Sequence, residues 1–347
     1  MKRAGIVTLF GEYNFGNRLQ NYAVQQVLKK NGLEVETIKY IRSEDDIPVV
    51  CNEREENRIK KFRKFNNYIK FADKVLYKEY DTPKSLSENY DYIVMGSDQI
   101  WNFTFDKIFS EKALGAFVPN DKRVSFSASF GVDYVPEENS YAYNICKENL
   151  QNMKSISVRE YAGKEIVEKL TGRDDVEVLI DPTMMIETSE WEKIMKKPEK
   201  LETNKFILKS FLGDVSSNIW NELNRIAEEN NCKIIDISDI NSPYYDVGPA
   251  EFLYLEKNAF LVATDSFHSC VFSILFSTPF IVFERDDKEL ESMYSRIETL
   301  LEKFNIQDRI FKEKITADVL SNDYTKAYEI LDKERIKVKD FLNSAFI

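Results

Sequence analysis

The chain has 347 residues, 43% of them apolar and 31% charged, so it is long enough for two domains and can bury a sizeable core. Its formal net charge of −11 argues against nucleic acid as the main partner, because binding to phosphate backbones needs clustered Lys and Arg. A single histidine and four scattered cysteines (Cys51, Cys146, Cys232 and Cys270) exclude a zinc site of the usual kind and indicate reduced thiols in the cytosol.

Strand and helix patterns alternate through the first half of the chain. Residues 6–10 predict a strand, and a helical stripe follows until Asn31-Gly32, a suitable C-terminal cap. The next strand is predicted at 35–38, and further strands are predicted at 92–95, 124–128, 155–158 and 176–180, with helical patterns between them at 137–153 and 162–170. This alternation predicts a doubly wound parallel sheet.

The segment 53–78 differs from its surroundings because it is rich in Lys and Arg. Its apolar residues recur at spacings of three or four, as expected for an amphipathic helix: Ile59, Phe62, Phe65 and Ile69. Such a helix can lie on a membrane surface, cover an anionic substrate, or simply have one solvated face. Peripheral membrane contact through this segment is therefore one expectation for the chain.

A charged, weakly periodic stretch from Asp181-Pro182 to about Asn204 is the best candidate linker, and strands alternate with helices again after it. Strands are predicted at 205–211, 233–237, 260–263 and 280–283, and helices at 219–229, 250–256, after Ser266 and at 290–304. We expect three parts: an N-terminal α/β domain (1–185), a C-terminal α/β domain (186–323) that carries the Asp-Ser-Phe-His turn, and a final helix (324–347) that can cross back to the first domain. The fold class is α/β, with two Rossmann-like domains facing across a cleft.

The N-terminus leads into the first strand without a signal-type apolar segment. Residues 266–283 lack Asp, Glu, Lys and Arg, but Pro279 and a helical row of serines favour a buried helix followed by a strand over a membrane span. We expect a soluble, cytoplasmic protein that can work at the inner face of the membrane.

The only histidine, His268, follows a buried strand and the sequence Thr264-Asp265-Ser266-Phe267. Such a strand-to-helix junction lies at the carboxyl edge of a parallel sheet, where open α/β folds usually bind ligands. Ser266 is a natural N-cap, so the first helical amides would point at an anion bound there. The alternative is a half-buried histidine without chemistry.

The loop after the first strand has two glycines at Walker A spacing, Gly11 and Gly16. Asn17-Arg18 replaces the Lys-Ser/Thr that would reach phosphates and magnesium, and Gly-x-Gly-x-x-Gly is absent, so neither nucleotide hydrolysis nor nicotinamide binding is supported. The hydrogen-bonding groups suit a sugar or an anion, although glycines also serve simply to turn a strand into a helix. The candidate binding residues here are Asn14, Gly16, Asn17, Arg18 and Asn21.

Polar residues also follow three later strands. One set after residues 92–95 combines polar groups with an aromatic ring that could stack on a sugar or pack in the core: Gly96, Ser97, Asp98, Gln99, Trp101 and Asn102. Ser127 lies at the next strand end. Arg159 suits a bidentate grip on a carboxylate or phosphate, or else forms a surface ion pair with Glu160 or Glu165.

Taken together, six segments resemble the polysaccharide pyruvyl transferase family: 13–23, 96–102, 127–131, 157–160, 181–183 and 264–268. No single motif is diagnostic, but their order and spacing agree over about residues 4–310. The resemblance implies a fold similar to GT-B glycosyltransferases, and transfer of pyruvate from phosphoenolpyruvate onto two hydroxyls of a sugar as a cyclic ketal. It also implies that His268 and Arg159 serve the donor. The family often has Gly-Asp where this chain has Arg18-Leu19.

The chemistry fits these residue types, because ketal formation needs a proton for the methylene carbon of the donor and a histidine can supply one near neutral pH. We expect His268, Arg159 and Asp265 to be catalytic and Ser266 and Phe267 to bind substrate, with no metal and no cofactor. The acceptor is expected to be a lipid-linked or nucleotide-linked precursor of a surface glycan, on the side of the N-terminal domain (1–185). The alternatives are a nucleotide-sugar-dependent glycosyltransferase of the same shape and a non-catalytic glycan-binding homologue.

Overall fold

A computed structural model describes residues 1–41, 52–105, 109–214, 216–285 and 294–346. Cys51 and the start of the helix predicted at 290–304 lie outside these ranges. The chain divides into two units, which are described one at a time. The first comprises Met1–Val49, Asn66–Ile186 and Lys333–Ile347, and the second comprises Val50–Phe65 and Glu187–Asp332.

The first unit is built on parallel strands. In chain order these are β1 (Arg3–Leu9), β2 (Glu34–Ile41), β3 (Leu76–Tyr77), β4 (Tyr92–Met95), β5 (Arg123–Ser125), β6 (Ser157–Val158) and β7 (Glu177–Val178). The main sheet has the order β3-β2-β1-β4-β5, while β6 and β7 form a small parallel pair beyond it. Isolated bridges from Val124 to Ser155 and from Ala128 to Val158 connect this pair to the edge of the main sheet.

The second unit has its own parallel sheet, formed by β8 (Phe206–Ser210), β9 (Lys233–Asp236), β10 (Leu261–Thr264) and β11 (Phe280–Val282). The strand order is β11-β10-β8-β9, so the order reverses between β8 and β10. The first sheet reverses in the same way between β1 and β4. Ligands of open α/β sheets bind outside the carboxyl ends of the strands at such switch points.

The helices, numbered along the whole chain, are α1 (Phe15–Lys30), α2 (Glu53–Phe65), α3 (Lys84–Glu88), α4 (Tyr141–Gln151), α5 (Tyr161–Thr171), α6 (Thr188–Glu192), α7 (Ser217–Asn230), α8 (Pro249–Asn258), α9 (Phe267–Phe276), α10 (Ser295–Lys303) and α11 (Thr325–Ala345). The predicted alternation of strands and helices is confirmed in both units. The central strands β1, β4, β8 and β10 are largely buried, because helices cover the faces of parallel sheets.

The basic segment behaves differently from its prediction. The helix α2 ends at Phe65 instead of residue 78, and it packs against α8 in the second unit. Ile59 and Phe62 are buried, and the guanidinium of Arg58 donates to the carbonyls of Ile237 (3.1 Å) and Tyr245 (2.7 Å). The apolar face of α2 is therefore covered by protein.

The two units also differ from the expected division in their bounds. Residues 50–65 group with the second unit, and α11 is shared, since Lys333–Ile347 group with the first. Within the described ranges, no helix is long and apolar enough to cross a membrane. The apolar stretch 266–283 forms α9 and β11, as predicted.

Candidate active site

At the switch point of the first sheet, one side chain connects the ends of the two central strands. Asn17 lies in the first turn of α1, and its Nδ2 donates to the Leu9 carbonyl at the end of β1 (2.6 Å) and to Asp98 Oδ2 beyond β4 (2.8 Å). Its Oδ1 accepts from the Gly11 amide (3.2 Å). Asn14 caps the helix by accepting from the Asn17 amide (3.0 Å). The glycine-containing loop is thus held against the sheet edge by two asparagines.

Arg18 brings a buried positive charge to this edge. Its Nε donates to Asn17 Oδ1 (3.1 Å), and its guanidinium lies 4.2 Å from the centre of the Phe10 ring. Burial lowers the pKa of Arg18 to about 10, and the negative charges of Asp98 and Glu12 oppose that shift. The arginine therefore stays protonated at neutral pH beside Asp98, and such a group can hold an anion or a sugar hydroxyl.

A second polar group at the same edge centres on Asp181. Its Oδ2 accepts from Ser97 Oγ (2.7 Å) and from Arg159 Nη1 (2.9 Å), while its Oδ1 accepts from the Thr183 amide (2.9 Å) and hydroxyl (2.6 Å). Arg159 and Asp181 are both buried. The expectation of a surface ion pair between Arg159 and Glu160 or Glu165 is therefore wrong: the partner is Asp181, 22 residues further along the chain.

Glu160 instead shapes the loop that follows β5. Its Oε1 accepts from Ser129 Oγ (3.0 Å) and from the amides of Phe130 (2.8 Å) and Gly131 (3.2 Å). Gly131 has φ +70°, and a Cβ there would lie 2.1 Å from Gln99 Oε1. The absence of a side chain at Gly131 leaves room for the Gln99 amide.

Several predicted binding residues are interior. Trp101 is fully buried, its Nε1 donates to the Ala113 carbonyl (3.1 Å), and its ring packs against Phe130. It is a core residue, so the sugar-stacking interpretation is corrected. Asn21 is also fully buried and accepts from Thr37 Oγ1 (2.6 Å) beneath α1, away from the loop.

The remaining predicted residues of the first unit are buried near the strand ends. Asn102 donates from Nδ2 to Gln99 Oε1 (2.9 Å), and Ser127, at φ +53°, donates to the Ile180 carbonyl (2.9 Å) beside Asp181. Gly96 and Gly16 are buried. The structure therefore brings Asn17, Arg18, Ser97, Asp98 and Arg159 to one edge of the sheet.

In the second unit, Asp265 directly follows β10 at the switch point. Its Oδ1 accepts from the Leu212 amide (2.7 Å), and its Oδ2 accepts from the Gly213 amide (2.9 Å) and from Arg285 Nε (2.8 Å). The loop after β8 is therefore tied to the end of β10. Both carboxylate oxygens of Asp265 thus accept hydrogen bonds from neighbouring groups.

His268 lies in the first turn of α9, three residues after Asp265. It is 8% exposed, and its ring meets the edge of Phe267 at 5.3 Å between centroids. Ser266 occupies the N-cap position without a side-chain capping bond, and its amide donates to Thr264 Oγ1 (2.9 Å). His268 therefore lies at the carboxyl edge of a parallel sheet, as the sequence predicts.

A buried carboxylic acid stands behind this helix. Glu256 of α8 is fully buried, and Ser269 and Ser273 of α9 donate to its two oxygens at 2.6 and 3.4 Å. Burial raises the pKa of Glu256 to about 8, although the two serine hydrogen bonds pull it down. Ser269 also contacts Ser210 Oγ (3.1 Å) at the end of β8. The network joins α8, α9 and the strand end.

Sequence reasoning missed Glu160, Glu256 and Arg285. Glu160 and Arg285 are charged residues beside predicted strand ends, but their hydrogen-bond partners lie 20 to 31 residues away in the chain. Glu256 lies in α8, whose sequence has no feature that distinguishes it from other predicted helices. Among the described residues, no three His, Cys, Asp or Glu side chains gather as a metal site would require.

A family model described as polysaccharide pyruvyl transferase matches residues 14–287, which include both strand-end sites. The chain belongs to the polysaccharide pyruvyl transferase family. The match confirms the resemblance seen in the six sequence segments, and membership in this family implies a transferase. No curated protein matches the chain in a direct comparison.

Solved structures show the fold of this polysaccharide pyruvyl transferase family member. UDP-GlcNAc 2-epimerase from Neisseria meningitidis bound to UDP-GlcNAc is 12% identical, with a TM-score of 0.51 over 96% of this chain and 100% of that chain. A candidate UDP-N-acetylglucosamine 2-epimerase from Listeria monocytogenes is 13% identical, with a TM-score of 0.55 over 99% and 91%. The epimerase from Methanocaldococcus jannaschii is 12% identical, with a TM-score of 0.50 over 95% and 92%. The expected GT-B-like α/β class is confirmed.

Proposed function

We propose that this protein transfers pyruvate from phosphoenolpyruvate to two hydroxyls of a saccharide, forming a cyclic ketal in the synthesis of a surface glycan. The observation that carries the proposal is the family match over residues 14–287 together with the position of His268, the only histidine, in the first turn of α9 at a sheet switch point. Ligands of such sheets bind at these switch points.

The proposed reaction balances without a further co-reactant. His268 gives a proton to the methylene carbon of the donor, and the cation that forms at C2 is captured by one sugar hydroxyl. The bond between C2 and the phosphate oxygen breaks, phosphate leaves, and the second hydroxyl adds to C2. The hydroxyl protons return to the base and to the phosphate. A positioned acid or base contributes about 10²–10⁴-fold to such steps.

The second unit supplies the donor machinery in this proposal. The first amides of α9 and the side chain of Ser266 lie beside His268 and can hold the carboxylate or phosphate of the donor. The carboxylate of Asp265 accepts hydrogen bonds from the amides of Leu212 and Gly213, which fixes the loop after β8. Preorganised donors of this kind stabilise charge that develops during reaction.

The first unit offers an edge suited to a sugar. Asn17, Arg18 and Asp98 provide donors and acceptors at the switch point, and we assign them to the acceptor. Arg159 is proposed to serve the donor, with Asp181 fixing the orientation of its guanidinium. The acceptor is proposed to be lipid-linked or nucleotide-linked. We place the reaction in the cytoplasm because Cys146, Cys232 and Cys270 are free thiols, which suits a reducing compartment.

One observation favours a second candidate. The Neisseria meningitidis epimerase of the same fold is bound to UDP-GlcNAc, so a nucleotide sugar is the alternative donor. A thermal-shift comparison separates the two, because a ligand that binds the native state stabilises it by mass action. Phosphoenolpyruvate should raise the melting temperature in the presence of a chelator. Stabilisation by UDP-sugars alone would support the alternative.

A further inference from the structure

Arg285 follows β11 on the same carboxyl edge that carries Asp265 and His268. Its Nε donates to Asp265 Oδ2 (2.8 Å) and its Nη2 donates to the Asp265 carbonyl (3.3 Å). Its aliphatic stem lies beside Gly213, with Cγ and Cδ both 3.5 Å from the position of an added Cβ. Asp265 therefore holds the guanidinium, while the loop after β8 lies beside the aliphatic part of the Arg285 side chain.

The pair is unequally exposed. The side chain of Asp265 is 3% exposed, whereas that of Arg285 is 16% exposed. A guanidinium has five N–H groups, and Asp265 takes one on Nε and one on Nη2. Within the described ranges, no acceptor lies within hydrogen-bond reach of Nη1. Nε and Nη2 thus each give one N–H to Asp265, and the N–H groups of Nη1 are left for a ligand.

The charges around Asp265 point to the same conclusion. Two backbone amides already satisfy its carboxylate, so the loop after β8 is anchored without the arginine. Arg285 adds a full positive charge beside an aspartate that those amides already stabilise. A partly exposed, preorganised arginine at a strand-end crevice suits a ligand with two anionic oxygens, since its fork matches carboxylate and phosphate.

We propose that Arg285, held by Asp265, is a ligand for an anionic group of the donor, a phosphate or a carboxylate. The identity of the donor rests on the proposed function. Arg285 acts by contact with substrate, and Asp265 is the residue that positions it. The sequence motif around His268 does not include Arg285, which lies 17 residues further along the chain.

The test is a calorimetric titration of the full chain with phosphoenolpyruvate, inorganic phosphate, pyruvate and UDP. Arg285→Gln should weaken the binding of phosphoenolpyruvate by about 10- to 100-fold, the factor for losing a hydrogen-bonded charge. Arg225→Gln is the matched control, because it removes the same charge from the same unit at a surface pair with Glu222 and Glu229. The phosphate and pyruvate arms show which anionic group the arginine holds.

Arg285→Lys keeps a cation beside Asp265 and guards against misfolding of the glutamine variant. Its affinity should lie between wild type and Arg285→Gln, because the ammonium lacks the fork. In the wild type, phosphoenolpyruvate should also slow the reaction of Arg285 with an arginine-specific reagent while leaving Arg225 unprotected.

Equal affinity of wild type, Arg285→Gln and Arg285→Lys for phosphoenolpyruvate, without protection of Arg285, would overturn this inference and leave the proposed function standing. If the wild-type protein does not bind phosphoenolpyruvate but binds UDP, and Arg285→Gln weakens that UDP binding, the proposed donor is overturned instead.

Discussion

The guanidinium of Arg159 donates to Asp181 over 2.9 Å, and both side chains are buried. The same carboxylate oxygen accepts from Ser97, so one aspartate ties together residues that follow β4, β6 and β7. A buried pair of this kind is costly to break, because removing one partner leaves the other charge buried and alone. Arg159 is therefore both part of the fold and a candidate donor ligand.

Arg159→Lys keeps the charge and loses the planar fork, so we expect the Michaelis constant for phosphoenolpyruvate to rise far more than that for the saccharide. Both substrates are titrated against the purified variant. Arg173→Lys is the control, since the half-buried Arg173 forms a two-bond pair with Asp175 in the same unit but precedes β7 instead of following a strand. Donor saturation unchanged from wild type would remove Arg159 from the site.

Much of the fold was predictable because strands and helices have separate periodicities. Alternating patterns placed β1, β2, β4 and the strands of the second sheet, and strand ends placed Asp98 and His268 at the carboxyl edges. These features depend on residues close together in the chain.

Partners and burial were harder to predict, since they depend on distant contacts. Asn17 and Asp98 are 81 residues apart, so their hydrogen bond has no local signal. Trp101 follows a strand end as an exposed platform would, but the carbonyl of Ala113 and the ring of Phe130 enclose it. The amphipathic pattern of α2 predicted a helix correctly, but the surface that covers it comes from α8, which begins 184 residues after α2 ends.

Gly131→Ala tests how the loop after β5 holds Gln99. An added Cβ would meet Gln99 Oε1 at 2.1 Å and also needs a positive φ, so we expect the free energy of unfolding to fall. Gly172→Ala is a matched control, because Gly172 has nearly the same φ, +72°, with nothing within 4 Å of its Cβ position. That control should lose only the backbone cost, about 1–2 kcal/mol. Equal losses of unfolding free energy for the two variants in urea would show that Gln99 moves away from the added Cβ without a cost in stability.

Glu256→Gln tests the buried carboxyl group between α8 and α9. The pKa is raised from 4.5 to about 8 by burial, so the folded protein keeps the neutral acid while the unfolded chain ionises. The stability that Glu256 contributes is complete below about pH 4.5 and is lost as pH rises through about 8. The glutamine variant is neutral throughout, so its stability relative to wild type should grow across that interval. Unfolding curves at a series of pH values measure this difference, and a constant difference would contradict the raised pKa.

His268→Ala should reduce phosphate release from phosphoenolpyruvate by about 10²–10⁴-fold, the usual contribution of an acid or base. Because the sequence contains one histidine, the imidazole resonances in a proton NMR spectrum belong to His268 alone. Phosphoenolpyruvate should shift them, and the melting temperature of the variant serves as the folding control. Near wild-type turnover in a folded His268→Ala protein would remove the histidine from the chemistry.

The central claim concerns the donor, and carbon NMR with phosphoenolpyruvate labelled at C2 tests it most directly. The protein is incubated with the label and a panel of lipid-linked and nucleotide-linked saccharides in the presence of a chelator, since no step of the proposed reaction uses a metal. We expect the enol carbon signal to be replaced by that of a saturated ketal carbon attached to the saccharide, with one phosphate released per ketal. Sugar transfer from UDP-sugars, with the labelled donor left unchanged, would contradict the account.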